Sequence, residues 1–224
     1  MTFSIVARCR ETGMFGVAIA SSSPAVSARC PYARAGVGAV STQNVTDPTL
    51  GPALLDLMAG GASARQALDA VVASRSSISY RQLIAVDRDG VTAGFSGAQS
   101  LGVYASAEAA DAVAAGNLLA DSGIPAAMVA CFAGSAGPLG DRLLAALCAA
   151  INAGGEAGPI HSAGLLLVDQ VSWPVADLRV DWDDADPVGR LGEVWRIYAP
   201  QLDDYVRRAL QPSAAPRFGV PGDT

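Results

Sequence analysis

Apolar and polar positions fall first into short runs with the signature of strands. Residues 2–9 (TFSIVARC) and 15–22 (FGVAIASS) are rich in apolar and β-branched side chains, and Arg10-Glu11-Thr12-Gly13 between them carries turn residues. The chain is therefore predicted to open with a β-hairpin. Ser23–Arg34, with two prolines, is expected to be a loop, and residues 36–43 (GVGAVSTQ) a third strand whose glycines imply close backbone approach. The period then becomes helical. Asp47-Pro48-Thr49 starts an apolar run from Leu50 to Met58 that Gly60-Gly61 closes, and Ser63 caps a second helix with Leu68, Val71 and Val72 on one face.

The alternation repeats further on. Residues 82–87 and 91–96 flank the turn Arg88-Asp89-Gly90 and predict another hairpin. Residues 101–119 are ambiguous, with one or two short strands expected. Helices are expected at 124–133 and 139–153, and strands at 161–169 and 177–181. Asp186 as N-cap and Pro187 at the first helical position begin a final helix that Pro200 should kink. One domain over residues 1–210 is expected, followed by a loose tail over 211–224. Paired helices alternating with antiparallel strands imply layers, with two stacked sheets between helices.

Composition narrows the chemistry. The chain has 224 residues, 51% of them hydrophobic and 16% charged, which suits a large buried core. Its net charge of −6 argues against nucleic acid or an anionic membrane as a partner. All 15 basic residues are arginine. Without lysine there is no Schiff base, no pyridoxal phosphate anchor and no P-loop. With His161 as the single histidine, any site that needs two from one chain is excluded, which removes most catalytic zinc centres. Cys9, Cys30, Cys131 and Cys148 form no C-x-x-C pair and read as small hydrophobes. The start of the chain lacks the pattern of a signal peptide, and no apolar stretch is long enough to span a bilayer, so a cytoplasmic protein is expected. No cofactor or metal is expected.

Several motifs fail. Gly36-Val37-Gly38 lacks the third glycine of a dinucleotide fingerprint, and Gly94-Phe95-Ser96-Gly97 is no nucleophile elbow. Asp181, Asp183, Asp184 and Asp186 do not match a calcium loop and read as an acidic turn with a helix cap. His161, at a strand entrance, reads as structural. The first residues are different. Thr2 is small enough to allow removal of Met1, and it would then carry a hydroxyl and an α-amine on one residue. The ordinary α-amine pKa is about 7.7–8.0, so a neutral fraction exists near pH 7 and can take the hydroxyl proton without histidine or lysine.

The blocks TFSIVARC with ETG and GVAIAS, PYARAGVGAVSTQ, RQLIAVD, GFSG, GNLL, and DLRVD followed by DPV occur in order along the chain. Together they resemble the family of unknown function DUF1028, from Thr2 to about Leu210. The resemblance implies an N-terminal nucleophile (Ntn) hydrolase-like α+β fold, a four-layer αββα sandwich of two mainly antiparallel sheets, with Thr2 at the nucleophile position. Where relatives usually have Asp-Asp-His, this chain has Asp183-Asp184-Ala185, and where many have Gln-Gly-Asn it has Ala115-Gly116-Asn117.

The expected activity is hydrolysis of an amide bond in a small-molecule or peptide-like substrate. Thr2 attacks, and its α-amine serves as base and then acid. Asn117 or backbone amides near Gly97 are candidates to hold the oxyanion. Arg34 can depress the pKa of the amine if it lies nearby, and a surface ion pair is its other reading. Gln43 and Asn44 are expected to bind a polar substrate together with Gly97, or else to cap the following loop. Self-association into a homo-oligomer is expected. Two other readings stand beside this one: a catalytically silent protein of the same fold that binds a metabolite or partner, and a metal-dependent hydrolase using the carboxylates of 181–186.

Overall fold

The computed structural model describes residues 2–220. As expected, the chain opens with a hairpin of β1 (Thr2–Arg8) and β2 (Phe15–Ser21), paired antiparallel, with Gly13 supplying a φ of +78° at the turn. The expected loop at 23–34 is only partly a loop. It contains a 3-10 turn at Val26–Ala28 and a short strand, β3 (Pro31–Arg34), paired to β4 (Gly38–Asn44). Proline is tolerated there because β3 is an edge strand and Pro31 is its first residue. Gly36 lies in the β3–β4 turn with φ +67°, so β4 starts two residues later than the apolar run suggests.

Two helices follow, α1 (Leu50–Ala59) and α2 (Ala64–Ser74). Ser63 caps α2 through a reciprocal pair with Gln66. The next hairpin joins β5 (Arg81–Asp87) to β6 (Thr92–Ser96), and the ambiguous stretch resolves into β7 (Ala105–Ala109) and β8 (Ala112–Asn117). Then come α3 (Ile124–Gly134), α4 (Leu139–Asn152), β9 (Ser162–Val168), β10 (Ala176–Val180) and α5 (Pro187–Tyr198). Asp186 caps α5 by accepting the Gly189 N–H at 2.8 Å. At Pro200 the final helix breaks into a 3-10 turn and a separate α6 (Leu202–Leu210), because proline removes a backbone donor.

The strands form a six-stranded sheet, β10-β9-β2-β1-β8-β7, and a four-stranded sheet, β3-β4-β5-β6, with all pairings antiparallel. The sheets pack face to face. Helices α3, α4 and α5 cover the outer face of the larger sheet, and α1 and α2 that of the smaller. The architecture is therefore a four-layer αββα sandwich, with β1 an interior strand. Among the described residues, no helix is long and apolar enough to cross a membrane.

Side-chain alternation divides each central strand between two layers. Phe3, Ile5 and Ala7 of β1 join the core under the helices, while Val6 faces the other sheet. Val17, Ile84, Val86, Val113 and Leu166 meet Val6 in that inter-sheet layer. Toward the start of β1 the same layer turns polar.

Candidate active site

Thr2 heads β1 between two neighbours in the sheet, Ser21 on β2 and Asn117 on β8. It is only 6% exposed, and its Oγ1 lies 3.1 Å from Ser21 Oγ. The period of two then places Ser4 on the same face. Ser4 donates to Gln43 Oε1 at 2.6 Å, a contact across the sheet interface. Gln43 Nε2 donates to Gln82 Oε1 at 2.9 Å and to the Ala115 carbonyl at 3.2 Å. Gln82 in turn donates to Ser96 Oγ and to the Gly116 carbonyl, both at 3.0 Å. Bonds to backbone carbonyls fix which end of each glutamine is the amide nitrogen.

That order decides what Asn117 offers. Its Nδ2 donates to Gln82 Oε1 at 3.2 Å, and its Oδ1 is buried with no hydrogen-bond partner among the described residues. The atom of Asn117 left for a ligand is therefore an acceptor. An oxyanion needs a donor, so the expected oxyanion role does not suit this side chain as it stands.

The other expected residues fall in three places. Gln43 lies in the polar cluster, together with Gln82, which the sequence offers only as the start of a strand. Asn44, with φ +73°, ties two loops: Nδ2 donates to the Tyr80 carbonyl at 2.6 Å and Oδ1 accepts the Leu101 N–H. Gly97 is pressed against the Ser79 backbone, where an added Cβ would meet the carbonyl oxygen at 2.2 Å, and its own N–H is committed to the Arg81 carbonyl. Arg34 is not brought to Thr2. It sits at the far end of β3, opposite Gly38, in an exposed pair with Asp56 at 2.8 Å.

His161 lies nearer than its sequence position suggests, because its N–H donates to the Ser21 carbonyl. Its ring stacks on Trp182 at 4.2 Å, with Nδ1 3.3 Å from an Asp184 oxygen but not aligned as a hydrogen bond. The acidic run spends its carboxylates locally. Asp183 accepts the Ala185 and Asp186 N–H groups, Asp184 accepts from Trp182, and Asp186 caps α5.

One residue escaped the sequence reading. Glu156 lies in the connection from α4 to β9, is 5% exposed, and accepts the Ser22 N–H with both carboxylate oxygens at 3.2 Å. Burial pushes its pKa up to about 7, against the pull of the positive chain terminus and of the Ser22 bonds. The available signal was a lone charge in an Ala/Gly-rich segment, AAINAGGEAG. Nearby Cys30 is buried, and burial raises the pKa of its thiol, keeping it neutral.

The sandwich defines a fold class, and the relatives define the family. The model of the family of unknown function DUF1028 matches residues 2–191, and the chain belongs to that family. Protein SPO2555 from Silicibacter pomeroyi, a crystal structure bearing the same family name, is 31% identical, with 92% of this chain and 90% of that one covered and a TM-score of 0.86. Anbu (ancestral beta-subunit) from Yersinia bercovieri is 9% identical over 90% of this chain and 96% of its own, with a TM-score of 0.40. An Anbu (Gly-1) mutant from Hyphomicrobium sp. strain MC1 is 14% identical over 98% and 100%, with a TM-score of 0.42. No curated protein matches the chain.

Proposed function

We propose that the chain is an N-terminal nucleophile hydrolase that cleaves an amide bond in a small polar or peptide-like substrate, with Thr2 as nucleophile once Met1 is removed. One observation carries this reading. The inter-sheet layer is apolar except toward the head of β1, where the Thr2 hydroxyl meets Ser21 and, on the same face, Ser4, Gln43, Gln82 and Asn117 form a buried hydrogen-bonded cluster. Buried polar clusters are costly unless fully satisfied, and this one leaves an acceptor open beside Thr2.

In the proposed reaction Thr2 Oγ1 attacks the carbonyl carbon while its proton passes to the α-amine, directly or through a water. The Ser21 hydroxyl, which lies between Thr2 Oγ1 and Ser23 Oγ, turns to donate to the oxyanion, and Asn117 Oδ1 accepts an N–H of the substrate. The C–N bond then breaks as the ammonium returns the proton to the leaving nitrogen. Water hydrolyses the resulting ester, with the amine again as base. No cofactor enters this chemistry.

The test joins intact mass, to establish the mature N-terminus, with a screen of amide, peptide and lactam libraries on processed protein and on Thr2→Ala. A second reading, a catalytically silent protein binding a small metabolite, is favoured by one feature. Thr2 is nearly covered, and cavities of about 330, 410 and 530 Å³ are lined by other residues. Retention of Met1 with no turnover decides for it.

A further inference from the structure

The two strands beside β1 both run past its beginning. Beyond Ser21, β2 leads to Ser22, and beyond Asn117, β8 leads to Leu118 and Leu119. The segment around Glu156 fills the gap between them. Leu119 and Glu156 form an antiparallel bridge, Ala157 N–H donates to the Leu118 carbonyl at 3.0 Å, and Ala120 N–H donates to the Gly155 carbonyl at 3.0 Å. From the other side, the Ser22 N–H reaches both Glu156 oxygens. Residue 156 therefore stands where a continuation of β1 would run, beyond the α-nitrogen of Thr2.

We propose that the Glu156 carboxylate is a positioning residue for the Thr2 α-amine: it orients the amine toward the hydroxyl and supplies the counter-charge to the ammonium formed in the attack. This rests on the reading of Thr2 as nucleophile. Its logic is that of a third group steadying a general base. The carboxylate takes no proton from the hydroxyl. The proton moves from Oγ1 to the amine and on to the leaving nitrogen, and Glu156 stabilises the charge in between.

Other charges face this corner and do not replace it. Arg29 is engaged by Ser23 Oγ and by the Pro24 and Ala25 carbonyls. His161 is turned toward Trp182 and Asp184, and the Cys30 thiol is held neutral by burial. β4, β5 and β8 contribute only neutral Ser, Gln and Asn side chains to the polar cluster. Burial pushes the Glu156 pKa up to about 7, next to the range of an ordinary α-amine.

The chain has no lysine, so the α-amine is its one aliphatic amine, and a single acetylation seen by intact mass reports it alone. The experiment is acetic anhydride labelling of processed wild type, Glu156→Gln and Glu156→Asp as a function of pH. Glutamine keeps an acceptor for Ser22 and loses only the charge. The labelling midpoint of Glu156→Gln is expected about one pH unit or more below wild type, with Glu156→Asp between them. Any hydrolysis found in the library screen should show its acidic limb shifted the same way. An unchanged midpoint in Glu156→Gln overturns the inference and leaves the nucleophile reading intact. A Thr2→Ala variant that still hydrolyses overturns the nucleophile reading while the labelling shift stands. A chain that keeps Met1 overturns both.

Discussion

The layer between the sheets is built by the same strands at both ends, and the two ends differ in kind. At one end Val6, Val17, Ile84, Val86 and Val113 interlock with no polar atom to satisfy. A few residues along the same strands, Thr2, Ser4, Ser21, Gln82 and Asn117 occupy equivalent facing positions. The apolar end holds the sheets together by removing hydrocarbon from water. The polar end adds little of that and needs each donor matched to an acceptor. The difference separates stability from chemistry: substitutions at one end should act on folding, and at the other on turnover.

The largest expected effect is at the head of β1. Thr2→Ala should lower hydrolysis roughly a thousandfold or more and leave the melting temperature near wild type, since it removes the proposed nucleophile and few core contacts. Thr2→Ser should keep part of the rate. His161→Ala is the control, expected to reduce stability rather than turnover. Wild-type turnover by Thr2→Ala, with none by a folded His161→Ala, would replace the mechanism with a histidine-based one.

At the apolar end, Ile84→Ala should cost about 2–5 kcal/mol by denaturant unfolding, because the space between two sheets cannot collapse freely. The turnover of the folded fraction should not change. If that turnover falls as steeply as stability, the two ends are not separable.

Glu156 sharpens the contrast through pH. Its folded pKa of about 7 lies above the ordinary 4.5, so the folded chain binds this proton more tightly than the unfolded chain. The resulting stability is present below pH 4.5 and is lost as pH rises to about 7, a difference of roughly 3 kcal/mol at most. Glu156→Gln should remove that loss when both proteins are unfolded with urea across this range. Parallel curves would show that burial does not raise the pKa of this carboxyl.

The smallest effect belongs to Arg34. Its exposed pair with Asp56 lies away from Thr2, so Arg34→Ala should change stability by about 0–1 kcal/mol and leave the rate unchanged. A tenfold or greater change in rate would return Arg34 to the site.

The strands of the opening hairpin, both early helices, the capped start of α5 and the break at Pro200 were legible because each is written in neighbouring residues: alternation, caps and proline. β3 was not, since its four residues hide behind Pro31, and only an edge position makes that proline acceptable. Of the site, the sequence itself pointed to Thr2, through a hydroxyl and a potential α-amine on one residue. It also marked Gln43 at the end of the third strand as a substrate-binding candidate, and Asn117, in the ambiguous stretch 101–119, as an oxyanion candidate.

Which residues gather toward the head of β1 was decided by tertiary structure. Gln82, Asn117 and Glu156 are far apart in the chain and converge because strand register and sheet stacking bring them to one end of a buried layer. The same packing carries Arg34 to the other end and turns the open atom of Asn117 into an acceptor. It also withdraws Glu156 from water, which raises its pKa. Local sequence encodes which way a side chain faces. Its partners and the solvent it loses depend on contacts between segments that no local pattern contains.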